Sequence, residues 1–438
     1  MKKKILSCIL ALALLPAGGY ARAAERDPFS DVPTGAWFAP YVDNLVRRGV
    51  VNGFEDGTFR PQAEVTIGQA LKLIVLSGGF TDILNKGEHW AGGYLSFAQS
   101  RRYITGDNYD LDAPVTRLQV AKLCAAVLEL DPAMAEDERV FADTTDPSVL
   151  ALHHVGILTG SEEGGRLLFR GDQYLTRAEV CAILDRMLPY VDAHFTKVSG
   201  IRAPIDYRLR FQSYDSGAFY LDAKERICTR EAGLTPRCGI DVSYYQHEID
   251  WEKVAEDGID FAIIRCGYRG STQGVLCEDE CFRQNIAGAL AAGVNVGIYF
   301  FSQALTEAEA LEEADYVLSL IEGCDVTYPV VFDWERLTSE SSRTKDPDWD
   351  AVSDCAVAFC ERIAAAGYRP MTYFNRYSAY LQWDMTKLQR YDGWLASYNS
   401  TPNYLYDFQM WQYSSKGKVD GIDTHVDMDL CLVPYDTI

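Results

Sequence analysis

Tyr328-Pro329-Val330-Val331-Phe332-Asp333-Trp334-Glu335 is an apolar, β-branched run that ends in two carboxylates one residue apart. Its composition predicts a buried strand. In an extended strand alternate side chains share a face, so Asp333 and Glu335 point the same way with Cα atoms about 6 to 7 Å apart, while Trp334 faces the other side. Like charges held that close at the end of an apolar strand push their pKa values apart, which can leave one carboxyl protonated near neutrality. Cleavage of a glycosidic bond needs such a pair: one acid protonates the leaving oxygen, and the other stabilises or attacks the positive charge at the anomeric carbon. A strand running into an acidic surface loop would carry the same residues, so the motif alone does not decide between the two.

Outward from that strand, the chain from residue 238 alternates short apolar runs with amphipathic ones. Strands are expected at 239–242, 261–265, 296–301, 329–332, 371–374, 393–396 and 408–412, and helices at 280–292, 306–321 and 351–366. This pattern predicts an α/β fold with a parallel sheet, and the number of strands predicts a barrel. Barrel chemistry sits at the C-terminal ends of the strands. Acids fall at three of them: Asp241 in the first strand, Asp333 and Glu335 closing a middle one, and Asp427 near the last. Three strand ends converging on carboxylates favour catalysis over an acidic loop. Tyr244, Tyr299, Trp394, Tyr398, Trp411 and Tyr413 follow the same edges, where rings stack on the apolar faces of sugars; each alone also fits ordinary packing. His247 and His425, near the same edge, read as loop histidines.

The N-terminal part carries one pattern three times, at about 29–80, 88–130 and 140–188. Each copy has an acidic or aromatic start, a short apolar helix, a glycine turn, and then a threonine ahead of a second apolar helix. In the first copy these parts are Phe29-Ser30-Asp31-Val32, Trp37 to Val42, Gly49-Val50-Val51-Asn52-Gly53, Gly57-Thr58-Phe59-Arg60-Pro61 and Val65-Thr66-Ile67-Gly68-Gln69-Ala70. The second has Tyr103-Ile104-Thr105-Gly106 and Val115-Thr116-Arg117-Leu118-Gln119; the third has Phe141-Ala142-Asp143, Ile157-Leu158-Thr159-Gly160, Phe169-Arg170 and Leu175-Thr176-Arg177-Ala178-Glu179. The threonine reads as a helix cap. Between the two parts, residues 189–237 form a connecting segment in which 207–211 and 218–221 flank a Ser213 to Gly217 turn, the pattern of a β-hairpin.

A length of 438 residues predicts two or three domains, and 48% hydrophobic with 12% aromatic residues is enough to bury large cores. The formal charge of -22 argues against nucleic acid as a partner. Met1-Lys2-Lys3-Lys4, the apolar run 5–15 and Ala21-Arg22-Ala23 have the form of a secretory signal over residues 1–23. The apolar run is too short for a membrane span, and no later segment reaches the roughly 20 apolar residues a span requires. Cys8 follows the lysines too closely for a lipoprotein signal. Of the 12 cysteines, Cys228 with Cys238 and Cys277 with Cys281 are spaced for bridges, free buried thiols being the alternative. No second ligand pair accompanies Cys277-x-x-x-Cys281, and no Gly-rich phosphate loop, His-Glu-x-x-His or Ser-His-Asp arrangement is present, so neither a metal nor an organic cofactor is expected.

Specific segments go further. Asp241-Val242-Ser243-x-x-Gln246 with Ile249-Asp250-Trp251, Phe261 to Arg265, Asp279-x-x-Phe282-x-x-Asn285 and Ala292 to Phe301 resemble glycoside hydrolase family 25. So do Asp333-Trp334-Glu335, Trp394-Leu395-Ala396-x-Tyr398, and Trp411-Gln412-Tyr413 with Val426-Asp427-Met428, in order from residue 238 almost to the C-terminus. The resemblance implies a lysozyme that cleaves the β-1,4 bond between N-acetylmuramic acid and N-acetylglucosamine in peptidoglycan, on a flattened, incomplete (β/α)8-like barrel. It implies Glu335 as general acid and Asp333 as the group that stabilises the transition state by orienting the substrate acetamido group. Asp241, Asp427 and Tyr299 would meet substrate, with Trp394, Tyr398 and Trp411 as further substrate-binding candidates. Asp429 stands where asparagine is usual, and Arg265-Cys266-Gly267-Tyr268 departs from the usual segment after the second strand. The N-terminal copies resemble S-layer homology repeats, all-α modules that bind anionic secondary polymers of bacterial cell walls. That resemblance puts Arg117 and Arg177 at the polymer groove, where the first copy has Ile67. Together these imply a secreted enzyme attached to the bacterial wall. A chitinase-like N-acetylglucosaminidase, which shares the Asp-x-Glu strand end, and a non-catalytic glycan-binding wall protein are the alternatives.

Overall fold

The computed structural model describes residues 29–435 other than 82, 86, 107 and 136–138, so the expected signal at 1–23 lies outside the described residues. The chain divides into two compact units, one closing at Ala193 and the next opening at His194.

The first unit contains helices α1 (Ala39–Arg47), α2 (Ile67–Ser77), α3 (Gly92–Ser100), α4 (Arg117–Val127), α5 (Pro147–His154) and α6 (Arg177–His194). α2, α4 and α6 begin alike. Thr66, Thr116 and Thr176 each accept a bond from the N–H three residues on, and Gln69, Gln119 and Glu179 reach back to the threonine N–H. Two of each helix's orphan donors are thereby satisfied. The residues before the caps meet in a closed ring: the Val65 N–H donates to Leu175 O, that of Leu175 to Val115 O, and that of Val115 to Val65 O. All three side chains are buried. The unit is helical but not all-α, because Ser161–Glu163 and Arg166–Leu168 pair antiparallel around Gly164 and Gly165, which both take positive φ.

The two arginines expected at a polymer groove both have partners within the unit. Arg177 is only 7% exposed; its Nε donates to Phe59 O at 2.8 Å and its guanidinium lies 5.0 and 4.6 Å from the ring centres of Phe54 and Phe59. Arg117 pairs at 2.9 Å with Glu179, the carboxylate that also caps Thr176. Each arginine stands at the first position of its helix, and the Arg117 Nε is buried without a hydrogen-bond partner among the described residues.

The second unit is a closed barrel of eight strands: β1 (Arg237–Val242), β2 (Phe261–Arg269), β3 (Asn295–Ser302), β4 (Val330–Trp334), β5 (Pro370–Asn375), β6 (Asp392–Ala396), β7 (Met410–Gly417) and β8 (Val426–Cys431). β1 to β7 run parallel in chain order, and β8 closes the ring between β7 and β1 antiparallel to both. The strand ring is therefore complete. What departs from a (β/α)8 barrel is the reversed β8 and the helices, since α7 (Trp251–Glu256), α8 (Phe282–Ala291), α9 (Glu307–Ile321), α10 (Trp349–Ala365), α11 (Arg376–Leu381) and α12 (Met385–Leu388) occupy only the connections up to β6.

Period-two alternation sorts the strand residues. Phe261, Ile263, Val331, Met371, Trp394, Met410 and Cys431 fill the barrel, where Phe261 stacks on Tyr328 at 4.6 Å. Ile240, Val242, Ala262, Ile264, Ile298, Phe300, Phe332, Leu395, Trp411 and Leu430 face outward into the layer beneath the helices. Gly239 lies where any Cβ would sit 2.1 Å from the Phe261 ring.

The expected pairing of 207–211 with 218–221 does not form. Phe195–Val198 pairs with Ile201–Pro204, and Phe219–Leu221 with Ile227–Thr229, while Gln212 N–H donates to Leu405 O and Asp407 N–H to Arg210 O. The segment thus lies along the β6 to β7 connection, where the helix is missing, and Leu209, Phe219 and Ile227 join the outer core. No disulfide forms among the described cysteines, the spacings 228/238 and 277/281 included, and no helix among the described residues is long and apolar enough to cross a membrane.

Replacing Arg177 by Ala is expected to destabilise the first unit by about 2 to 3 kcal/mol, since it strips a buried charged donor from its carbonyl. Urea unfolding of the full chain followed by protease sensitivity of the first unit measures this; an unchanged midpoint would return Arg177 to a purely external role.

Candidate active site

At the C-terminal ends of the parallel strands the barrel opens into a cleft of about 290 Å³. Asp333, the inward residue at the end of β4, lines it beside Glu335, one residue beyond the strand. Trp334 between them is turned outward, its Nε1 donating to Ala304 O at 2.9 Å and its ring 5.5 Å from that of Trp349. Locking the tryptophan outside fixes the carboxylates inside. Asp241 of β1 and Asp427 of β8 are direct partners across that antiparallel pair, and both line the cleft.

Glu335 is exposed at the mouth, yet protein crowds its carboxyl and that desolvation raises its pKa. Asp333 is buried, and burial followed by repulsion from Glu335 raises its pKa well above the usual range, with Arg265 opposing. Its Oδ1 has no hydrogen-bond partner among the described residues. Burial, then Glu335, lifts Asp427 to about 6. Asp241 is raised by burial and by its neighbours Asp427 and Asp429. Asp429 is fully buried, with Oδ1 accepting from Trp394 Nε1 at 2.8 Å; burial raises its pKa too. Five acids share this end of the barrel, and burial raises the pKa of every one of them.

Of the aromatic candidates, Tyr299, Trp394 and Tyr398 line the cleft. Trp394 is a floor residue, edge-on to Tyr373 at 4.9 Å, whereas Tyr398 is 55% exposed at the rim. Trp411 does not belong to the site. It is the outward residue of β7, fully buried, with Phe219 edge-on at 5.5 Å and its Nε1 donating to Ser397 O. The inward residue is its neighbour Gln412, whose Nε2 donates to Asp241 Oδ2 at 2.7 Å and whose Oε1 accepts from the hydroxyls of Tyr373 and Tyr398, both at 2.9 Å. Neither histidine lines the cleft.

Ser243, Tyr245, Gln246, Arg265, Phe301, Tyr373 and Gln412 line it as well, and none was singled out as a site residue from sequence. Arg265 is the single cation among the lining residues, and it is held by Asp279 through Nε at 2.8 Å and Nη2 at 2.7 Å. The two-residue step from Phe261 and Ile263 to Arg265, or from Met371 to Tyr373, carries the signal that would have found them. Gln303, just past β3, acts from behind. Its Nε2 donates to Glu335 O at 2.8 Å while its Oε1 accepts from Thr344, both Gln303 and Thr344 being fully buried. It therefore pins the Glu335 backbone to the loop that follows.

Residues 240–422 match the family of glycosyl hydrolases family 25, and residues 28–71 match the S-layer homology domain. The chain is 26% identical over 194 residues to the autolytic lysozyme of Clostridium acetobutylicum, covering 44% of this chain and 54% of that protein. It is 28% identical over 208 residues to lysozyme M1 of Streptomyces globisporus, covering 43% and 65%. Over 74 residues it is 38% identical to the outer membrane protein SlpA of Thermus thermophilus, 17% of this chain and 8% of that protein. This chain thus spans about half to two thirds of the length of the two lysozymes. Asp241, Asp333 and Glu335 of the acid-lined barrel mouth fall within the stretch that matches glycosyl hydrolases family 25, and the S-layer homology match falls within the first unit.

Proposed function

We propose that the barrel unit is a lysozyme that hydrolyses the β-1,4 bond between N-acetylmuramic acid and N-acetylglucosamine, and that the first unit attaches it to the bacterial cell wall. The observation that carries the first part is the joint projection of Asp333 and Glu335 into one cleft with Asp241 and Asp427. Glu335, at the mouth where a leaving oxygen would lie, is the general acid. Asp333 stabilises the charge developing at the anomeric carbon. Burial raises the pKa of Asp333, and a substrate acetamido N–H donated to its Oδ1 favours the ionised form that orients the acetamido group. Asp241, oriented by Gln412, and Asp427 hold sugar hydroxyls, while Tyr299, Trp394 and Tyr398 shape the walls. No step in this scheme needs a cofactor.

For the first unit, the S-layer homology match and the recurrence of the Thr-capped helix at α2, α4 and α6 support three wall-binding repeats, with an anionic secondary polymer as partner. Holding the enzyme on the wall raises the local concentration of an insoluble substrate without new contacts in the cleft. Export to the wall is part of the same proposal.

Glu335→Gln is expected to lower kcat on purified peptidoglycan by about 10²- to 10⁴-fold, the usual worth of a positioned proton donor. Wild-type products should carry reducing N-acetylmuramic acid; reducing N-acetylglucosamine would indicate the chitinase-like reaction, and binding without any product would indicate a glycan-binding protein.

The raised pKa of Asp427 has a definite sign in stability. Its folded value of about 6 exceeds its unfolded value of about 4, so its contribution is full below pH 4 and is lost as pH rises through 6. Asp427→Asn should therefore raise Tm relative to wild type more at pH 7 than at pH 4, by calorimetry at matched ionic strength. A difference that is flat with pH would show that Asp427 titrates normally.

A further inference from the structure

One ring in the cleft has no part in the chemistry above and is nevertheless built with care. Tyr245 lines the cleft at 60% exposure, in the turn Tyr244–Gln246 that follows β1. Four bonds hold that turn. The Ser243 N–H donates to Gln246 Oε1 at 2.9 Å, the Tyr245 N–H to Ser243 Oγ at 3.4 Å, the Tyr244 N–H to Asp279 Oδ2 at 3.1 Å, and Gln246 Nε2 to His425 O at 3.3 Å. The next residue, His247, sits at φ 57° and ψ -129°, a conformation that costs a non-glycine residue about 1 to 3 kcal/mol and persists only where its surroundings over-determine it. The ring is fixed too. Its centre lies 4.1 Å from that of Tyr244 at 31°, and the Arg265 guanidinium, itself anchored by Asp279, lies 4.9 Å from the Tyr244 ring and 5.7 Å from that of Tyr245.

Strand order places this ring. Around the barrel from β4, the exposed Tyr398 follows β6, two strands away in one direction, and Tyr245 follows β1, three strands away in the other. A glycan drawn past Asp333 and Glu335 would meet an exposed aromatic ring on either side. We propose that Tyr245 is a sugar-stacking platform, a subsite for a β-1,4-linked amino sugar removed from the scissile bond on the side away from Tyr398; this rests on the glycosidase reading. The apolar C–H face of a pyranose ring packs on such a surface, and a ring already immobilised loses little side-chain entropy when it binds. The role is in binding a longer chain rather than in proton transfer.

The test uses the full chain and peptide-free peptidoglycan strands of graded length. Tyr245→Ala should raise KM on long strands about 2- to 12-fold with kcat retained, a loss that shrinks as the strand shortens. Tyr245→Trp, which keeps a platform, should restore the long-strand KM. The same strands bound at equilibrium to Glu335→Gln, with and without Tyr245→Ala, should show the same length-dependent weakening. A KM and affinity untouched at every length, or an equal fall in kcat at every length, would overturn the assignment. If the wild type cleaves no strand, the glycosidase reading fails, and the binding series still decides whether Tyr245 holds sugar.

Discussion

The outward anchoring of Trp334, between two inward acids, is the constraint on which the barrel unit's site depends. Its indole is buried, hydrogen-bonded to Ala304 and packed on Trp349, so β4 cannot slip by one residue without burying two carboxylates in an apolar layer and throwing a tryptophan into the cleft. From that register the rest follows. β3 and β5, paired with β4 through Phe301 and Tyr373 opposite Asp333, bring their own inward residues to the same mouth. Gln303 then fixes where the chain goes as it leaves the strand.

The cleft is an acid cluster supplied with neutral donors. Gln412 is the clearest case: with both tyrosine hydroxyls donating to its oxygen, its amide nitrogen can only face Asp241. The first unit solves a different problem by different means. There the closed ring of Val65, Val115 and Leu175 ties three chain segments by backbone alone, which leaves the side chains of each copy free to diverge.

What could be read from the sequence was local. An apolar run ending in Asp-x-Glu carries its own alternation, so β4, its acids and the outward Trp334 were legible, as were Asp241 and the Thr caps, whose partners lie within three residues. What escaped depended on distant chain. Trp411 and Gln412 are adjacent, and which one faces inward is set by the register of β7 against β6 and β8, together with Phe219 nearly two hundred residues earlier. The run 207–211 looked like half a hairpin because it alternates apolar residues with arginines, but its partner is residues 405–407. Arg177 carried no sign that Phe59 O would claim its guanidinium. The closure of the barrel rested on the pairing of β8 with β1, which no short motif encodes.

That closure also orders events in time. β8 is the last strand to be made, yet it is wedged between β7 and β1, the strand made first, and it delivers Asp427 to a mouth whose other walls come from earlier strands. A nascent chain still short of residue 431 can form helices and neighbouring strand pairs, but it leaves two unpaired sheet edges and an open-sided cleft. Completion of the cleft is thus deferred until residue 431 has been made, so shorter nascent chains carry no finished site.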